Sequence, residues 1–197
     1  MIGWLLVVAL VSQSAPVGSP RPHPAPSPVP NCFPAEAHLD EFRTQWYCAH
    51  VLAGGQSRLA GDKAYRFIYL PTFDHPRIVT LSQHGADWII AGRVLSGRGG
   101  YQPGKVSRST ERKLSTAEAR LLEQRLQNAA VWGPDSVRDD RGLDGSMWLL
   151  EAKNGPRYLL HEVWSPRDNT FPQYRKACAY MLELAGVMPE SDEGELY

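Results

Sequence analysis

The sequence predicts an α+β domain: an antiparallel β-sheet of about six strands, a meander plus a central hairpin, with about three helices packed on it. Residues 142–166, GLDGSMWLLEAKNGPRYLLHEVWSP, hold two runs of aromatic and branched residues around Asn154-Gly155, a strong hairpin signal. Four further strand-like runs lie upstream, separated by turns. Three segments repeat apolar residues at helical spacing. Strands that come in blocks, not in alternation with helices, favour an antiparallel sheet with helices on its faces.

The chain opens on an apolar run, Trp4–Val11. It is shorter than the about 20 residues a membrane span needs. Ser12 and Ser14 are small residues before a cut at Ala15, so residues 1–14 read as an export signal, although no basic residue stands near Met1. Residues 15–31 carry proline at 16, 20, 22, 24, 26, 28 and 30, which suits an extended polyproline linker. Residues 32–188 are the length of one domain. The tail, 189–197, has acids and no base, and reads as disordered.

Within the domain, Leu39, Phe42, Trp46, Ala49 and Ala53 predict a helix over 34–53, ended by Gly54-Gly55. Tyr65–Leu70 is a strand. Arg77–Gln83 and Trp88–Leu95 form a hairpin through His84-Gly85-Ala86-Asp87. The glycine-rich loop Gly97–Gly104 leads to a polar strand near Lys105–Arg112. Ser115-Thr116-Ala117-Glu118 is a capping box that opens a helix to about Val131, with Leu121, Leu122 and Leu126 in its apolar stripe. The hairpin strands Met147–Ala152 and Arg157–Trp164 follow. With Asn154 and Gly155 as turn residues, Trp148 faces His161, and both faces are apolar enough to be covered. Pro172 opens a last helix to about Ala185, capped by Gly186.

The chain has 21 basic and 21 acidic residues and no basic face, which is no footprint for nucleic acid. Gly99–Lys105 matches the spacing of a phosphate-binding loop. Val106 stands where a Ser or Thr should bind magnesium, and a strand follows where a helix is needed, so it reads as a surface loop able to line a site. Asp140–Glu151 matches a calcium loop at four positions, but Gly142 replaces a ligand and Glu151 sits in a strand. The six histidines form no metal-binding pair, and no cofactor or metal is expected. Glu151 and Glu162 share a face, roughly 13 Å apart at about 3.3 Å per residue, too far for a simple glycosidase pair.

Three cysteines are present. Cys32 and Cys48 flank the first helix and would stand roughly 24 Å apart, beyond the about 7 Å a disulfide allows. Cys178 could pair with either, and otherwise serves as a small buried hydrophobe.

The elements YRFIYLPTFDHP (65–76), GRGGYQPGK (97–105) and DGSMWLLEAKNGPRYLLHEVWSP (144–166), read with the closing LELAG (182–186), resemble a group of uncharacterised bacterial exported proteins. The likeness covers Tyr65–Gly186. It implies one exported domain and adds no catalytic residue.

Two function classes remain. The first is a non-enzymatic binding module of the cell envelope, with an envelope protein or cell-wall ligand as partner. Tyr101, Trp148, His161 and Trp164 are its binding candidates, His161 also reading as a core histidine. The second is an envelope hydrolase with a loop-built site, for which His75, Asp144 and Glu162 are the candidates.

Overall fold

A computed structural model describes residues 32–53, 58–99, 101–133, 136–138, 142, 144–189 and 196. The export signal and the whole linker lie outside them, as does the acidic tail apart from Pro189 and Leu196. The elements are α1 (Glu41–Trp46), β1 (Lys63–Pro71), β2 (Arg77–His84), β3 (Asp87–Leu95), β4 (Val106–Lys113), α2 (Thr116–Asn128), β5 (Ser136–Arg138), β6 (Ser146–Asn154), β7 (Arg157–Trp164) and α3 (Pro172–Leu184). One open sheet runs β4-β3-β2-β1-β6-β7-β5. Six strands are antiparallel, as the sequence predicts. The short β5 adds a seventh, parallel to β7.

The predicted hairpin forms with its turn moved by one residue. Gly155-Pro156 turns the chain, and Asn154 pairs with Arg157. Pro156 cannot take a positive φ, so a type I′ turn is closed to this pair. Gly155, at φ 56°, instead supplies the single positive φ of a II′-type turn. The faces survive the move because a one-residue move of the turn shifts the pairing by two residues, a full side-chain period. The partners change: Trp148 pairs with Val163, and His161 with Leu150.

The sheet is covered on both faces. On one, α2 and α3 pack over Tyr65, Phe67, Trp148 and Leu150 to make the main core. Ser115 and Glu118 close the predicted capping box, and Ala119, Leu122 and Leu126 face inward. Leu121, placed in the stripe by spacing alone, is exposed. Thr110 Oγ1 donates to the Ala185 carbonyl at 2.6 Å and Arg112 Nε to Leu184 at 3.0 Å, which pins the end of α3 to the outer strand β4. Leu196 is buried against this core as well, a contact the tail's composition does not announce.

The N-terminal segment covers the other face, and here the sequence expectation is corrected. The helix over 34–53 is broken. A 3-10 turn, Ala35–Ala37, ends at His38 with φ 46°; α1 starts afresh, and a π-helical turn, Tyr47–Val51, follows it. Asp40 causes the restart: its carboxylate accepts the Arg43 backbone N–H at 2.8 Å, an N-cap inside the supposed helix. The reversal folds Cys32 back onto Cys48, with Cα atoms 5.4 Å apart and a disulfide between them. The expectation that these two cannot bridge assumed one straight helix. Cys178 is free and buried, with its thiol pushed well above its ordinary pKa by burial.

Beneath this cap lies a buried ion pair. Arg66 on β1 donates through Nε to Glu151 on β6, directly opposite in the register. The two side chains are 1% and 0% exposed. Tyr158 donates to the other Glu151 oxygen at 2.8 Å, and Arg66 Nη2 to the Cys32 carbonyl at 3.3 Å. The Phe33 ring stacks on the guanidinium at 5.3 Å. Removing one member of such a pair leaves an uncompensated charge. Arg66→Met alone is expected to destabilise by about 3–5 kcal/mol in urea unfolding, and Arg66→Met with Glu151→Leu by much less.

At the capping box, the Arg112 guanidinium and then the Ser115 donors hold the Glu118 carboxyl down at about 2. A lowered folded pKa adds stability above the ordinary carboxylate range that is lost as pH falls towards about 2. Glu118→Gln is therefore less stable than the parent at pH 7 and equal to it near pH 2. Ser115→Ala costs about 1 kcal/mol. Urea titrations at both pH values check the pair.

Candidate functional site

The break in the N-terminal segment creates the site. Restarting at Asp40 turns α1 so that Phe42, Arg43 and Trp46 overlook the ends of β1, β6 and β7. Between them lies a cleft of about 340 Å³, lined also by Leu70, Met147 and Trp164, with Glu162 at its floor. That volume sits at the lower end of ligand sites, which run about 300–1,000 Å³. Phe42 is 78% exposed, and Trp46 and Trp164 are half-buried.

Glu162 is buried and doubly held. Arg43 Nη1 donates to one carboxylate oxygen at 2.7 Å, and the Tyr47 hydroxyl to the other at 3.1 Å. Burial, then the Glu162 charge, raises the Tyr47 phenol well above its ordinary pKa. Tyr47 therefore stays protonated and remains a donor. The floor is a neutralised pair rich in donors and acceptors, ringed by aromatic side chains.

The glycine-rich loop borders the cleft through Gly99, whose N–H donates to the Pro71 carbonyl at 3.1 Å. A Cβ there would stand 2.7 Å from the Leu70 backbone, so the loop reaches β1 only as glycine. A strand, β4, follows the loop, not the helix a phosphate-binding loop requires.

A second cavity of about 550 Å³ opens at the same end of the sheet, lined by Phe73, Asp144, Ser165, Arg167, Arg175 and Leu196 among others. The strand ends separate the two: Thr72 borders the cleft and Phe73 the cavity, Trp164 the cleft and Ser165 the cavity. Thr72 braces this divide, donating through N and Oγ1 to the Gly145 carbonyl at 2.8 and 2.9 Å.

The sequence-predicted residues separate into three groups. Glu162 and Trp164 line the cleft. Asp144 lines the second cavity, while His75, exposed, points Nδ1 at the Gly97 carbonyl 3.0 Å away and lines neither. The hydrolase candidates therefore come together in neither of these two cavities. Tyr101 is 71% exposed and lines neither cavity. Trp148, with 0% exposure and its Nε1 donating to Ser146 Oγ at 2.7 Å, offers no surface to a ligand. His161 is buried with Nε2 2.8 Å from the Val131 carbonyl, the core role its strand position suggests. Phe42, Arg43, Trp46 and Tyr47 are site residues the sequence reading misses. The signal was Asp40, two residues ahead of Phe42 and able to cap a new helix.

Glu151 and Glu162 are closer than expected. The moved turn sets Glu162 opposite Leu149 and Glu151 opposite Leu160, diagonal neighbours at about 7–8 Å. Their partners keep them apart in function, since Glu151 belongs to Arg66 and Tyr158. The same commitment takes Glu151 out of the calcium-loop pattern; Asp140 lies outside the described residues. Among the described residues no three His, Cys, Asp or Glu gather as a metal group, and no helix is long and apolar enough to cross a membrane. Comparison with protein families, with characterised proteins and with solved structures finds no match to this chain.

Tyr47→Phe removes a donor from a buried carboxylate, which costs about 1–3 kcal/mol. Urea unfolding is expected to show that loss; an unchanged midpoint would mean Tyr47 adds nothing to the Glu162 environment.

Proposed function

We propose that the chain is an exported, non-enzymatic binding module whose ligand seats in the cleft between α1 and the strand ends. The observation that carries this reading is the cleft itself: three solvent-reaching aromatic side chains around a neutralised, partly buried Arg43–Glu162 pair. Catalysis by general acid and base needs a group free to exchange protons. Glu162 is instead tied to two donors, and His75 and Asp144 stand elsewhere. Pre-formed, mostly apolar concavities with a few placed polar groups are what small ligands bind.

Export is supported by the apolar run at Trp4–Val11 and by the Cys32–Cys48 disulfide, since such bonds persist in oxidising compartments. The motif resemblance points the same way. A cell-envelope location gives an aromatic cleft access to wall polymers and peptides.

Thermal unfolding of the processed chain with calcium, EDTA, soluble peptides and soluble sugars tests the binding reading. A ligand at about 100 times its Kd adds about 2.7 kcal/mol. One class is expected to raise the Tm of the parent and to leave Phe42→Ala/Trp46→Ala unmoved; no shift with any class overturns the cleft as a ligand site. Fractionation with thiol trapping tests export: Cys32 and Cys48 are expected to resist alkylation in the envelope fraction. A chain retained in the cytoplasm with both thiols reactive overturns it.

A further inference from the structure

We propose that the occupant of the cleft is an uncharged oligosaccharide, long enough to cross the strand ends into the second cavity. The inference rests on the binding reading above and names its ligand class.

The floor comes first. Arg43 cancels the charge of Glu162, so neither an anion nor a cation gains a net opposite charge there. A sugar hydroxyl donates and accepts at once, so one hydroxylated ring can give a hydrogen bond to the carboxylate and take one from the guanidinium. The walls come next. Phe42, Trp46 and Trp164 present flat apolar surfaces beside that polar pair. A pyranose ring has the matching make-up, with C–H faces that stack on aromatic rings and a hydroxylated edge.

Other occupants fit less well. A peptide added as a strand needs a free sheet edge. The strands at the cleft are β1, β6 and β7, and each has a neighbour on both sides. An amphipathic helix needs a long apolar groove, and here the floor is an ion pair. An acyl chain would strip water from that pair without replacing its hydrogen bonds. Nucleic acid would bring phosphate to a carboxylate in a chain of zero net charge.

Length follows from the second cavity. Its polar groups are again of mixed sign: Arg175 donates to Asp168 at 3.1 Å and to the Pro166 carbonyl at 2.7 Å, with Asp144 and Arg167 beside them. Phe73, 61% exposed, adds an aromatic surface one residue from Thr72 of the cleft. The cavities of about 340 and 550 Å³ therefore offer consecutive subsites of one chemistry on either side of the strand ends.

Calorimetry and tryptophan fluorescence with neutral β-1,4-linked N-acetylglucosamine oligomers and with maltooligosaccharides test this, using the processed full chain. The tetramer of one series is expected to bind at least about tenfold tighter than its dimer. Phe42→Ala, at an exposed position that leaves folding intact, should weaken both lengths. Phe73→Ala should weaken the tetramer and spare the dimer. Suppose no neutral oligosaccharide binds at ~10 mM, a Kd beyond the weakest useful affinities, while a peptide or charged sugar still changes the cleft tryptophans. The saccharide inference then fails and the binding reading stands. Tryptophans unmoved by every probe sink both.

Discussion

The Arg66–Glu151 pair is the constraint around which this domain is built. Two opposite charges face each other across β1 and β6, the middle of the sheet, where every residue of β1 from Ala64 to Pro71 is buried. Left open to water, the pair would need no roof. Buried, it needs every donor and acceptor matched. Tyr158 supplies one match, the Cys32 carbonyl another, and the Phe33 ring covers the guanidinium. Both of the last two belong to the N-terminal segment. The cap is thus held to the sheet by polar demand as well as by its apolar contacts with Ile68, Leu70 and Leu149.

Once the cap is held there, the site follows. The disulfide ties the segment's entry to the π-helical turn, and α1 between them is left with little freedom over the strand ends. Glu162 repeats on a smaller scale what Glu151 does, a carboxylate from the sheet gripped by an Arg and a Tyr, here both from the cap. The difference is exposure. One pair is sealed and structural; the other forms the floor of an open cleft.

Most of the sheet was legible because strands and turns announce themselves locally. β1 to β4, the capping box of α2 and the Gly186 stop of α3 all rest on residues close in sequence. The errors also have local causes. Asn154-Gly155 looked like a complete turn signal, but Pro156 vetoed the conformation it implies, and that one-residue move brought Glu151 and Glu162 together. Periodicity joined residues 34–53 into one helix and hid Asp40 as a cap. The cleft depends on that hidden break, so Phe42 and Trp46 read as a core stripe. Trp148 reads as a binding residue for the opposite reason: sequence shows that an aromatic sits on a strand face, and only packing shows whether that face is covered.

The disulfide divides the domain into a part it constrains and a part it does not. The sheet, α2 and α3 use no cysteine pairing, and Cys178 is sealed among them as an inert thiol. The cleft wall, by contrast, belongs to the segment that carries the disulfide, a covalent tie added to its polar and apolar contacts with the sheet. The covalent constraint therefore falls on Phe42 and Trp46 and not on the main core, which is built without it. The oxidation of one pair of sulfurs thus stiffens the wall of the cleft and leaves the rest of the fold untouched.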